Sequence, residues 1–192
     1  IIDAHMHVQP WGQFRREALE RMEAGRRDLD RIRGLFDDPG AFLRFLDEEG
    51  VDRAVLVNYV SPEVIGFTPD VNDFVGRFCR GHEDRLVAVG GVHPRLAPDP
   101  AAELSRIVER HGIRALKIHP PHQLFRANAY RDGGDLPGLA RLYERAADLN
   151  LPVIFHTGTS IFPGARNKYG DPLDLDDVAV DFPDLTIVMA HG

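Results

Sequence analysis

The sequence predicts an α/β fold built on a parallel sheet. Three observations carry that prediction. Apolar runs with strand character alternate with segments of helical periodicity along the chain. The strand runs have almost no polar face, as expected of strands covered on both sides. After an early insertion, strand starts recur about 30 to 40 residues apart, the length of one strand–helix–strand unit. A barrel and an open doubly wound sheet both satisfy this pattern.

The first strand is Ile1-Ile2-Asp3-Ala4-His5-Met6-His7-Val8. Side chains in a strand alternate faces, so His5 and His7 point the same way at its C-terminal end. Alone, such a pair is weak evidence for a metal site. The arginine-rich stretch 14–33 reads as one or two helices inserted before the next unit. Trp11, Phe14 and Phe36 border it; aromatics so placed are more often core or lid packing than ligand contacts. Asp38-Pro39 starts a helix, with a capping aspartate and proline at the first helical position. Phe42, Phe45 and Leu46 form its apolar face, and Gly50 suits a left-handed stop.

Residues 51–59 form the second strand. Asp70 is expected to cap the following helix, which turns Val71, Phe74, Val75 and Phe78 inward. Residues 86–92 are the third strand, leading into His93-Pro94. Asp99-Pro100 opens a helix faced by Leu104, Ile107 and Val108 and stopped by Gly112. Residues 113–119 are the fourth strand, and Leu139, Leu142, Tyr143 and Ala146 mark the next helix. Residues 152–156 are the fifth strand, Leu175, Val178, Ala179 and Phe182 the helix after it, and 185–191 the sixth strand. Residues 1–192 read as one domain without a linker or low-complexity tract.

Composition narrows the function classes. The 192 residues are 43% hydrophobic and 28% charged, enough for one sizeable core. A net charge of -7 without clustered basic residues argues against nucleic acid. No apolar run approaches the ~18 residues that span a membrane. The single cysteine, Cys79, excludes an internal disulfide framework and fits a reducing, cytoplasmic compartment; on the apolar side of a helix it reads as a buried thiol. The chain opens on a strand with no signal peptide, lacks an initiator methionine and stops at Ala190-His191-Gly192, so both ends read as cut. A small-molecule substrate is the expected partner, with homo-oligomer formation left open.

The nine histidines fall into two groups. His82 and His111 lie at helix ends, where a surface or capping role is expected. His5, His7, His93, His119, His122, His156 and His191 sit at or just past the C-terminal ends of strands, the edge where parallel α/β folds bind ligands. Each alone is best read as bonded to a neighbouring carbonyl. His5, His7, His156 and His191 together read as a metal site. Several imidazoles without a cysteine pair suit zinc, with manganese, iron or nickel as alternatives.

Lys117 is the other polar residue inside an apolar strand, on the same face as His119. A lysine there is costly unless paired or modified. It reads as a carboxylated bridge between two metals, as a neutral or ion-paired group near the substrate, or as a side chain that snorkels out at the strand end. The loop 157–170 is long enough to be a lid. Arg166, Lys168 and Arg126 are candidates to meet a substrate carboxylate, against a plain surface role. No phosphate-cradling loop and no G-x-S-x-G elbow is present.

Four stretches then point to a family: Ile2-Asp3-Ala4-His5-Met6-His7, Ala115-Leu116-Lys117-Ile118-His119-Pro120, Pro152-Val153-Ile154-Phe155-His156-Thr157-Gly158 and Met189-Ala190-His191-Gly192. In this order they resemble the amidohydrolase-related branch of the amidohydrolase superfamily, which includes enzymes similar to aminocarboxymuconate-semialdehyde decarboxylase. The resemblance implies a (β/α)8 barrel with one or two metals at its C-terminal mouth, of which this chain carries about six strand–helix units. It implies metal ligation by His5, His7 and His156. It gives His191 a catalytic role, on a second metal or on substrate, and makes Lys117 a catalytic candidate by carboxylation. His119, Arg166 and Trp11 are the substrate-binding candidates. The family's strand-eight aspartate, which binds metal and handles a proton, lies outside these residues, so the chain reads as a fragment of a longer protein. The expected activity is metal-dependent hydrolysis of an amide, ester or lactone by a metal-activated water. The alternative is non-oxidative decarboxylation of an aromatic or unsaturated carboxylic acid.

Overall fold

The computed structural model describes residues 1–131 and 133–191. Its centre is one six-stranded sheet: β1 (Ile2–Met6), β2 (Arg53–Val57), β3 (Leu86–Gly90), β4 (Ala115–Ile118), β5 (Val153–His156) and β6 (Ile187–Ala190). The spatial order is β1-β2-β3-β4-β5-β6 and every pairing is parallel. A doubly wound sheet reverses its strand order at a switch point; this one does not. Six flat strands would hold β1 and β6 about 24 Å apart at ~4.8 Å per spacing. The rings of His5, on β1, and His191, just past β6, have centroids 5.2 Å apart. The sheet is therefore curled into a partial (β/α)8 barrel, and the barrel alternative is the one realised.

Two apolar layers follow from the period of two. Outward residues such as Leu56, Ala88, Leu116, Val153 and Phe155 join the main core under the helices. Inward residues Val57, Val89, Ala115, Ile154 and Ala190 form a small separate cluster inside the curl. Two residues beyond Ala115 the same face carries Lys117, and two beyond Ile154 it carries His156. The inner face thus changes from apolar to polar at the C-terminal edge of the sheet.

The helices pack outside. Between β1 and β2 lie a 3-10 turn (Trp11–Gln13), α1 (Arg16–Glu23), α2 (Leu29–Asp37) and α3 (Pro39–Glu48). The expected insertion is thus two short helices. Arg33 on α2 pairs with Glu23 on α1 at 2.5 Å, closing them together. Asp38 caps α3, accepting from the amide of Gly40. The next are α4 (Asp70–Cys79) and α5 (Pro100–His111), the latter capped by Asp99 and stopped by Gly112 at φ 66°. A short α6 (Pro120–Gln123) follows β4 directly; α7 (Gly138–Asp148) and α8 (Asp174–Asp181) complete the series. Cys79 is buried at the end of α4.

One expected cap is corrected. Asp70 is the first helical residue of α4, not its cap, because Pro69 already has helical dihedrals. Thr68 Oγ1 accepts from the Asp70 amide instead, at 3.4 Å. The strands are also shorter than their apolar runs. Tyr59 and Val92, for example, lie past the ladder in the loops that roof the barrel. Among the described residues no helix is long and apolar enough to cross a membrane.

Candidate metal centre

The C-terminal edge of the sheet surrounds a cavity of about 530 Å3. His5, His7, Lys117, His119, His122, His156 and His191 line one side of it. Trp11, Phe14, Met22, Ile32, Leu35, Phe36, Phe42, Phe45, Ile65 and Phe162 line much of the rest. The insertion after β1 and the loop after β5 therefore roof the histidines with apolar and aromatic groups. Trp11 sits edge-on to Phe14, centroids 5.7 Å apart, and the Arg33 guanidinium lies 5.2 Å from its ring centroid.

The histidines converge from different strands. Ring centroids of His5 and His7 are 5.0 Å apart, and those of His156 and His191 are also 5.0 Å apart. His7 Nδ1 is 2.7 Å from the carbonyl of Val57. A carbonyl only accepts, so Nδ1 carries the proton and Nε2 keeps its lone pair. His156 is held the other way: its Nε2 is 3.2 Å from the Thr159 carbonyl, which leaves Nδ1 as the free donor atom. His191 has a left-handed backbone (φ 79°), uncommon for a residue with a side chain. Thr157 Oγ1 donates to the carbonyls of Ala190 and His191 and ties that turn to β5.

Burial, followed by the nearby Lys117 charge, lowers the pKa of His5 and His156 to about 4. His7 is also lowered to about 4, by burial against the opposing pull of the Val57 carbonyl. Its ring borders the cavity, so water reaches it although protein encloses most of its sides. Lys117 is 1% exposed and its Nζ has no hydrogen-bond partner. Burial lowers its pKa to about 7. The snorkelling reading of Lys117 is thereby removed: the side chain points into the cavity.

These residues fit a divalent cation in kind. Neutral imidazoles with free lone pairs are metal ligands, and backbone carbonyls already fix two of their tautomers. Among the described residues, no three His, Cys, Asp or Glu side chains are already arranged to hold an ion. Which side chains would hold an ion is therefore a matter of donor chemistry here.

Several candidates lie elsewhere. Arg166 does not line the cavity; its side chain is exposed, and its hydrogen bonds are made by its backbone, the amide donating to the Pro121 carbonyl at 2.9 Å and the carbonyl accepting from the Tyr169 amide at 3.0 Å. Arg126 pairs with the buried Asp174 at 2.7 Å, and exposed Lys168 lies over the Tyr169 ring, 5.0 Å from its centroid. Neither lines the cavity. His93 is buried in a separate crevice, 3.7 Å from Glu63. His111, at the end of α5, is buried 3.7 Å from Asp73 rather than at the surface.

The sequence reading passed over a polar set that braces the strand ends. Gln123 accepts from the His119 amide at 2.8 Å and donates to the carbonyls of Val60 and Val92 at 3.0 and 3.3 Å. Asn58 donates to the Val8 carbonyl at 3.0 Å. Tyr59 Oη lies 2.8 Å from His122 Nδ1, and His122 Nε2 lies 2.6 Å from Ser160 Oγ. The available signal was position: each polar residue stands just past an apolar run.

A family model described as amidohydrolase matches residues 2–192. The chain belongs to the amidohydrolase family. The comparison with curated proteins finds no match. Among solved structures the chain is similar to 5-carboxyvanillate decarboxylase from Sphingomonas paucimobilis, at 17% identity and a TM-score of 0.63 over 100% of this chain and 67% of that one. It is similar to a dihydroxybenzoic acid decarboxylase from a Polaromonas species, solved with manganese and the inhibitor 2-nitroresorcinol, at 16% identity and 0.64 over 99% and 64%. It is also similar to 4-oxalomesaconate hydratase from Rhodopseudomonas palustris, at 19% and 0.56 over 98% and 62%. At such identities the likeness establishes the fold. The chain spans 62% to 67% of the length of these family-like barrels. Gly192, the last residue of the fourth family-like stretch, lies outside the described residues.

Proposed function

We propose that this chain supplies the larger part of the active site of a metal-dependent enzyme acting on a small organic substrate, with decarboxylation of an aromatic or unsaturated carboxylic acid as the reaction. The observation that carries the reading is the cavity itself: imidazoles from β1, β5 and the end of β6 face aromatic walls across an uncompensated lysine. His5, His7 and His156 would hold a divalent cation. Bound there, the cation would polarise a substrate oxygen and lower the pKa of a nearby water. Manganese accompanies ligands in decarboxylases of similar fold; the all-imidazole donor set also suits zinc.

The chain's own side chains account for binding and orientation. The aromatic walls exclude water and take up a planar apolar body. Lys117 Nζ, buried without a counterion, attracts a carboxylate that itself leaves water on entry. His191 meets the substrate from the β6 side. In decarboxylation the bond from ring or vinyl carbon to the carboxylate breaks, its electron pair stays on carbon, carbon dioxide leaves, and a proton replaces it.

Hydrolysis of an amide, ester or lactone is the second reading, favoured by the same histidines through a polarised water. The full-length protein, loaded with manganese or zinc and assayed for bound metal, separates the two on a panel of benzoates and lactones with product analysis. Carbon dioxide with the parent arene supports decarboxylation, and ring-opened acid supports hydrolysis. Absence of both metal uptake and turnover overturns the assignment.

A further inference from the structure

Ser160 stands in the loop after β5 and borders the cavity with His119, His122 and His156. Its Oγ lies 2.6 Å from His122 Nε2 and 3.2 Å from the amide nitrogen of Phe162. Behind His122, Nδ1 lies 2.8 Å from Tyr59 Oη. Tyr59 is 4% exposed, and among the described residues its hydroxyl has no other hydrogen-bond partner.

These contacts fix the direction of every proton in the chain. A buried phenol keeps its proton and must place it on an acceptor. The acceptor within reach is His122 Nδ1, which therefore presents a lone pair. The imidazole proton is then on Nε2 and is donated to Ser160 Oγ. The Phe162 amide donates to the same oxygen. A hydroxyl oxygen accepts two hydrogen bonds and donates one. With both acceptor positions filled, the Ser160 O–H has the cavity left to point into. The opposite polarity, in which Ser160 donates to His122, would set Nδ1–H against the phenol oxygen and strand the phenol proton.

The geometry points to Ser160 as a fixed hydrogen-bond donor to an acceptor oxygen of the substrate, with Tyr59 and His122 as positioning residues that set its polarity. This rests on reading the cavity as a substrate site. The site then favours a ligand bearing a carboxylate, carbonyl or phenolate oxygen at the histidine end, because a ligand offering only apolar surface or donors leaves the hydroxyl proton unpaired.

The experiment uses the full-length protein with benzoate as the probe and toluene as its oxygen-free counterpart. Ser160→Ala raises the Kd for benzoate about tenfold and moves that for toluene less than about twofold, while Ser160→Thr restores benzoate binding. Nitrogen-15 NMR of His122 finds the proton on Nε2 in the wild type, and Tyr59→Phe shifts the ring toward the Nδ1–H form. Equal losses for both probes, a proton on Nδ1 in the wild type, or no benzoate binding by the wild type each overturn the proposal. Metal content and turnover are measured on the same samples. A metal-free, inactive protein that keeps the benzoate selectivity and the tautomer removes the catalytic reading and spares the donor. An active, metal-loaded protein whose Ser160→Ala variant binds benzoate normally removes the donor alone.

Discussion

The imidazoles of His119 and His156 stack face to face, with centroids 3.8 Å apart and planes 11° apart. His122 stacks on the other face of His119 at 3.6 Å and 13°. A contact between the ends of β4 and β5 thus holds His156 flat against a wall that is itself buried. His119→Ala is expected to free the His156 ring and weaken metal affinity about tenfold, the scale of losing a ligand's supporting group. His119→Phe keeps the stack and most of the affinity. Competition with a chelator measures both; equal affinities for wild type and alanine variant would remove the supporting role.

The H-x-H pair provides a direct test of the proposed metal centre. His5→Ala combined with His7→Ala is expected to abolish metal uptake and activity. Both rings border the cavity rather than the main core, so the far-ultraviolet circular dichroism should be unchanged. Full metal content in the double variant would exclude these ligands.

Gln123→Leu is expected to destabilise the protein by about 3 kcal/mol or more, since the three buried groups it now satisfies would be left without partners at ~1–3 kcal/mol each. The amide of His119 and the carbonyls of Val60 and Val92 lose their bonds together. Urea denaturation reads the effect as a lower midpoint with an unchanged slope. A loss below ~0.5 kcal/mol would mean that water replaces the side chain.

Asp99 supplies a pH-dependent contribution away from the cavity. Hydrogen bonds from the Ala102 amide and from Arg141 hold its carboxyl below the usual carboxylate range. A depressed acid stabilises the fold above its unfolded pKa of ~3.9, and that contribution disappears as pH falls through the folded value. Asp99→Ala should therefore lower Tm at pH 6, and the gap to wild type should close on acidification. A gap independent of pH would point to packing instead of charge.

The sequence by itself determined the strand–helix alternation, the burial of the inner strands β3 to β5 on both faces and the gathering of histidines at one edge; Ile2 on β1 and Val188 and Met189 on β6, at the edges of the sheet, stay exposed. Those follow from local rules: periodicity, the Asp38 and Asp99 caps and the Gly112 stop are each written in a few neighbouring residues. It left barrel and doubly wound sheet unresolved on residues alone, because both use the same strand pattern. The resemblance favoured the barrel, and curvature decided it, bringing His5 and His191 together across the sheet. Tertiary structure also sorted polar residues that look alike in sequence. Lys117 and His119 face the cavity, while His93 turns to Glu63 and Arg126 to Asp174. The Tyr59–His122–Ser160 chain joins three segments whose residues are 63 and 38 positions apart. No local pattern encodes such a contact; it exists because the curl of the sheet brings the ends of β2, β4 and β5 to one place.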